Sequence, residues 1–191
     1  MKLYVLRHFE RDLDNPSFET QLLKTGIDNA ITKCEILKKI DINLIFSSPF
    51  LRCIQSVDFF SKTNNKIINI DCSLCEYFEN SNNKNKYEKQ YKIPDKWKEI
   101  FNINTNNMIL DNIKLNENNE DLKNRVFNFI KHIINKYKNT DLNILIVTHM
   151  SIVNVILYYF DYINFNEYSK LDLEKFYEMG KLLLVYQNFY K

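Results

Sequence analysis

The chain has 191 residues, 45% hydrophobic and 14% aromatic, which suits one sizeable α/β core and argues against a disordered chain. Its 26 basic and 24 acidic residues leave a net charge of +2, so no general attraction to nucleic acid or to an anionic membrane is expected. No apolar run reaches the roughly 20 residues of a membrane span, and Met1-Lys2-Leu3-Tyr4-Val5-Leu6 runs too quickly into charge to read as a signal peptide.

Four cysteines, Cys34, Cys53, Cys72 and Cys75, do not form a disulfide framework in a chain of this length. Cys72 and Cys75 make a CxxC, but no second pair of ligands follows, so zinc is not expected. They read as reduced thiols, and the protein as cytoplasmic. Asparagine (27) and isoleucine (23) are abundant, glycine is scarce (2), and lysine outnumbers arginine 22 to 4. Against that background the rare residue types stand out.

Leu3 to Leu6 predicts a first strand, ended by the charged cluster Arg7-His8-Phe9-Glu10-Arg11. A loop with Pro16 follows. Ile27, Ala30, Ile31, Cys34, Ile36, Leu37 and Ile40 recur at near-helical spacing and predict a helix over 25–40. Residues 43–46 predict a second strand, closed by Ser47-Ser48-Pro49. A helix is expected over 49–61, with serine as its cap and proline in its first turn.

Residues 66–70 predict a third strand. Residues 80–119 are rich in asparagine and lysine with weak periodicity, and read as an insertion or lid with short helical pieces. Aromatic pairs four apart, Tyr87/Tyr91 and Trp97/Phe101, suggest a short helix on either side of Pro94. If this segment is a lid, Tyr87, Tyr91 or Trp97 would touch the leaving group. A strong amphipathic helix is expected over 120–137, with Leu122, Val126, Phe129, Ile130, Ile133 and Ile134 on one face. Residues 142–147 are almost continuously apolar, as a strand buried on both sides requires. A helix over 151–160 and a strand over 181–186 complete the pattern. The fold class is α/β: one domain over 1–191, a three-layer sandwich with a mainly parallel central sheet and helices on both faces.

Three strands end in unusual polar groups: Arg7-His8, Ser47-Ser48 with Arg52 one turn into the next helix, and Thr148-His149. In parallel α/β sheets, ligands bind outside the carboxyl ends of the strands, so these segments should converge. Arginine recognises phosphate through its planar fork of donors. Arg52 near a helix N-terminus opposes the helix dipole, a conflict that a bound anion relieves. Arg7, Arg11 and Arg52 with the two histidines suggest a phosphate pocket. His132 lies off the apolar face of its helix and reads as surface.

Leu6-Arg7-His8-Phe9-Glu10-Arg11, Phe46 to Ser56 (FSSPFLRCIQS) and Ile146-Val147-Thr148-His149 resemble the three ordered signatures of the histidine phosphatase superfamily, also called phosphoglycerate mutase-like. Leu22-Leu23-Lys24-Thr25-Gly26 resembles a fourth, with Leu23 at the family's threonine. The RHxER form and Leu74-Cys75-Glu76-Tyr77-Phe78 look closest to the phosphatase domain of the suppressor of T-cell receptor signalling proteins, with Tyr77 in place of tryptophan.

The resemblance implies a metal-independent phosphomonoesterase with His8 as nucleophile, forming a phosphohistidine. It implies that Arg7, Arg52 and His149 hold the phosphate oxygens, with Arg11 as an additional phosphate-side arginine. Glu76 is the candidate general acid, with Glu10 and Glu79 as alternatives. No cofactor is implied, and the partner is a phosphorylated small molecule or phosphoprotein. Phe9 and Met150 replace family glycines. Phe9 would narrow the pocket, turn outward, or mark impaired chemistry, so a phosphate-binding module without turnover is the rival reading. A phosphoglycerate-type mutase is another, although the extra clamping residues of mutases are not evident here.

Overall fold

The computed structural model describes residues 1–14, 17–77, 93–111, 117–162 and 178–188. In chain order the elements are β1 (Lys2–Arg7), α1 (Lys24–Ile40), β2 (Leu44–Ser47), α2 (Leu51–Thr63), β3 (Ile68–Ile70), α3 (Asp95–Ile100), β4 (Ile103–Asn104), α4 (Asn119–Tyr137), β5 (Asn143–Thr148), α5 (Met150–Tyr159) and β6 (Leu182–Gln187). A single 3₁₀ turn, Cys72–Leu74, follows β3. The strands form one six-stranded sheet in the order β4-β3-β2-β5-β1-β6. β1, β2, β3, β4 and β5 pair in parallel, and β6 runs antiparallel against β1.

Helices cover both faces, because successive strand residues point to opposite sides. Leu6, Ile45, Leu145 and Val147 pack with Ala30, Cys34 and Leu37 of α1 and Ile54, Val57 and Phe60 of α2. Leu3, Val5, Ile144 and Ile146 pack on the other side with Leu122, Phe129 and Ile133 of α4 and Ile152 and Ile156 of α5. β5 sits between β2 and β1 and is buried along Ile144–Thr148, which is why its sequence is an unbroken apolar run.

The strongest helix begins with a capping box. Asn118 accepts from the Asp121 backbone N–H, and the Asp121 carboxylate accepts from that of Asn118. α1 ends at Asp41, which takes a left-handed conformation (φ 56°). Gly26 in its first turn is dictated by close approach: a Cβ there would lie 2.4 Å from the Glu10 carbonyl oxygen. The fourth motif therefore has a packing role, seating α1 against the segment after β1.

Several boundaries differ from the sequence expectation. Serine does not cap α2, because the helix begins at Leu51 and Phe50 holds the N-cap position without a side-chain cap; Ser48 Oγ accepts from the Phe50 N–H at 3.4 Å, just ahead of the helix. The third strand starts at Ile68, two residues late, since Lys66 donates its N–H to the Ser61 carbonyl at the end of α2. α3 occupies the place expected for the helix after Pro94, whereas Tyr87 and Tyr91 lie outside the described residues, as do 80–92 and 112–116 of the expected insertion. Trp97 is not a surface contact for a ligand. It is buried, stacked on Phe18 with ring centroids 5.4 Å apart, and belongs to the core. His132 is exposed, as expected.

Candidate active site

Parallel pairing brings the three polar strand ends together. The His8 backbone N–H donates to the Thr148 carbonyl at 3.0 Å, and that of Ser48 donates to the Val147 carbonyl at 3.0 Å. The His8 and His149 rings lie 5.3 Å apart, edge to face, and both are buried. Between them and α2 sits Arg52, 2% exposed although it carries a full charge. Its Nη1 donates to the Ser17 carbonyl at 2.9 Å, and its Nη2 lies 3.2 Å from His149 Nδ1. The guanidinium also lies over the Phe50 ring, 4.4 Å from its centroid.

The partners fix both imidazole tautomers. His8 Nδ1 is 2.8 Å from the Phe9 carbonyl oxygen. A carbonyl only accepts, so Nδ1 carries the proton and Nε2 keeps a lone pair. For His149 the order is reversed. Arg52 can only donate to Nδ1, so Nε2 bears the proton and donates to Ser48 Oγ at 2.8 Å.

Both rings are held neutral. Burial is the largest cause for His8, with the charges of Arg52, Arg7 and Arg11 adding to it, and together they place its pKa well below 6.5 despite the opposing bond to Phe9. His149 is lowered well below 6.5 by burial first, then by Arg52 and His8. The same interactions locate Arg7 and Arg11: their charges are close enough to act on His8. Arg11 is held by an isolated antiparallel bridge to Leu22, and its Nε is buried without a hydrogen-bond partner.

Glu76 stands two residues after the 3₁₀ turn Cys72–Leu74. Its carboxylate lies 3.6 Å from His149 Nδ1 and accepts a short hydrogen bond from Ser151 on α5. With Nδ1 bearing only a lone pair, the first contact is neither an ion pair nor a hydrogen bond. The Glu76 side chain keeps 33% of its exposure, so one edge of the site reaches solvent there. Of the alternative acids, Glu10 turns toward α1, where Asn29 Nδ2 donates to both of its oxygens at 3.2 and 3.3 Å. Glu79 lies outside the described residues.

The two departures from the family glycines have a structural explanation. Neither Phe9 nor Met150 has a positive φ, so no backbone strain follows from their side chains. The Phe9 ring is buried against Gly180, where a Cβ would come within 2.4 Å of it, and Gly180 itself takes φ 78°. One of the chain's two glycines thus makes room for the phenylalanine. Met150 opens α5, directly after His149 at the N-cap.

The site also gives residues roles that the sequence did not assign them. Ser48 and Ser151 orient His149 and Glu76. Arg125, the one arginine outside the motifs, forms a buried pair with Glu117. The Ser56 hydroxyl accepts from the Phe9 N–H at 3.1 Å and donates to the Arg52 carbonyl at 2.7 Å, tying the first motif to the second. Cys53 packs 3.6 Å from His149 Nε2, and burial pushes its thiol up to about 12, so it serves as packing rather than as a nucleophile.

The model of the histidine phosphatase superfamily (branch 1) matches residues 3–178. The chain belongs to that superfamily. No curated protein sequence matches it. Among solved structures, it is similar to the ecdysone phosphate phosphatase of Bombix mori at 15% identity and TM-score 0.66, covering 86% of this chain and 79% of that one. The α-ribazole phosphatase of Shigella flexneri matches at 19% identity and TM-score 0.61, covering 87% and 83%. A phosphoserine phosphatase of Entamoeba histolytica matches at 15% and 0.57, covering 90% and 85%. At these identities the likeness establishes the fold. Family and neighbours together support a phosphatase. No helix among the described residues is long and apolar enough to cross a membrane.

Proposed function

We propose that this histidine phosphatase is a metal-independent phosphomonoesterase working through a phosphohistidine at His8. One observation carries the reading: a buried, neutral imidazole whose Nδ1 proton is committed to the Phe9 carbonyl, leaving the Nε2 lone pair for attack. In-line attack on phosphorus would form the N–P bond as the ester P–O bond breaks, splitting one displacement into two easier ones. Arg7, Arg11 and Arg52 would offset the charge on the phosphoryl oxygens, with His149 beside them, and such offset supplies most of the catalysis in phosphoryl transfer. Glu76, at the solvent edge, would protonate the leaving oxygen. As a carboxylate it would then take a proton from the water that cleaves the N–P bond.

The neighbours are named as ecdysone phosphate, α-ribazole and phosphoserine phosphatases, which supports a phosphate-centred site that admits varied leaving groups. We read the substrate as a phosphorylated small molecule or a phosphoprotein. The RHxER spacing of Arg7, His8 and Arg11, with Leu74-Cys75-Glu76-Tyr77, supports a place in the subgroup of the suppressor of T-cell receptor signalling phosphatases. We also read residues 1–191 as one domain with its insertion at about 80–119. Four free, buried cysteines support the cytoplasm as its compartment.

Hydrolysis of para-nitrophenyl phosphate tests the proposal. Wild type should turn over, and His8→Ala should lose turnover while still binding inorganic phosphate. Undiminished turnover by His8→Ala would overturn it. Phosphate binding with no wild-type turnover would establish the binding module instead. Transfer between phosphoglycerate positions without net phosphate release would establish a mutase.

A further inference from the structure

Arg125 lies on α4, on the opposite side of the sheet from α1 and α2, and stays buried with its partner: the side chains of Arg125 and Glu117 are 9% and 2% exposed. Nε donates to both Glu117 carboxylate oxygens at 2.7 and 3.1 Å, and Nη2 donates to one of them at 2.5 Å. Its remaining donors face away from the carboxylate. Nη1 donates to the Ser73 carbonyl at 2.7 Å, and Nη2 to the Glu76 carbonyl at 3.2 Å.

The guanidinium thus spans both ends of the four-residue segment that carries the candidate acid. Between those ends, Thr148 Oγ1 donates to the Leu74 carbonyl at 2.7 Å. Upstream, Asp71 caps the 3₁₀ turn by accepting from the Ser73 N–H. A lysine could balance the Glu117 charge but could not reach two carbonyls in fixed directions while doing so.

We propose that Arg125 is a positioning residue for Glu76: by clamping the Ser73 and Glu76 carbonyls it sets where the Glu76 carboxyl group stands relative to His149 and the leaving-group oxygen. Ser151 then orients the carboxylate on a backbone that Arg125 has already fixed. The inference rests on the reading of Glu76 as general acid. It assigns Arg125 no contact with substrate.

The test compares the full chain with Arg125→Lys, Glu76→Gln and the double variant, on phenyl phosphate and on dinitrophenyl phosphate. A good leaving group needs little protonation, so loss of a positioned acid should fall on the phenyl ester. Arg125→Lys should lower kcat/KM on phenyl phosphate about tenfold more than on dinitrophenyl phosphate, because that ratio reports the step in which the leaving group departs, with inhibition by inorganic phosphate unchanged. In the Glu76→Gln background, Arg125→Lys should add no further selectivity, because the two residues act as one unit.

Equal loss on both esters, or selectivity that adds to that of Glu76→Gln, overturns the inference while leaving Glu76 as the acid. If Glu76→Gln itself shows no selectivity, the reading of Glu76 fails, and this inference with it. Should Arg125→Lys not fold, Arg125→Met with Glu117→Leu removes both charges together and strands neither. The same selectivity is expected of that pair. Loss of the fold in both variants would make Arg125 structural rather than positioning.

Discussion

Holding two histidines neutral in a positively charged pocket should leave a mark on stability. The folded pKa values of His8 and His149 lie well below 6.5, chiefly through burial and the Arg52 charge. In the unfolded chain both rings titrate near 6.5. Above that pH neither state binds the protons, and stability is full. As pH falls, the unfolded chain takes up protons that the folded chain refuses, so stability drops until the folded pKa values are reached. Between about pH 7.5 and 5.5 the loss is on the order of 1 kcal/mol per histidine. Asp71 works in the opposite sense, because burial raises its carboxyl from 3.8 against its backbone hydrogen bonds. Its contribution is common to wild type and to a histidine variant, so the difference between the two isolates the histidine. Urea unfolding of wild type and His8→Asn at both pH values reads it directly. The pH-dependent loss should be smaller in His8→Asn, by an amount on the order of 1 kcal/mol. Identical losses in the two proteins would show that His8 titrates normally in the fold, and would remove the reason for treating it as a neutral nucleophile.

Two further outcomes follow from named contacts. Ser48→Ala removes the acceptor of the His149 Nε2 proton at 2.8 Å. Stranding that buried donor should cost about 1–3 kcal/mol of stability, measured by denaturant midpoint, and lower kcat/KM for para-nitrophenyl phosphate; no change in either would mean that His149 is held by other groups. Gly180→Ala places a Cβ 2.4 Å from the Phe9 ring at φ 78°, and should destabilise by about 2–4 kcal/mol from overpacking and left-handed strain together. In a Phe9→Ala background only the backbone part should remain, about 1 kcal/mol. Equal costs in both backgrounds would show that the ring and the glycine are not coupled.

Most of the layered architecture was readable from periodicity. α4 announced itself by its apolar face, and β5 by six residues with almost no polar break. β4 did not, because two half-buried residues in an asparagine-rich stretch carry no alternation to detect. β6 was readable as a strand, but its antiparallel direction was not, since direction belongs to the pairing with β1. Within the site, His8, Arg52 and His149 could be singled out because rare polar residues ended apolar runs. Arg125 could not: beside Val126 on α4 it looks like the flank of an amphipathic helix, and the carbonyls it clamps are some fifty residues away.

The amino-acid order by itself settled which strands end in histidine, arginine and serine, and that a mainly parallel sheet would carry those ends to one edge. Tertiary structure decided the chemistry of each group once there. Which imidazole nitrogen bears a proton depends on the Phe9 carbonyl, on Arg52 and on Ser48. Whether phenylalanine can stand at position 9 depends on a glycine near the other end of the chain. Such properties arise from burial and from partners distant in sequence, because desolvation and hydrogen bonding act through space and leave no periodic trace along the backbone.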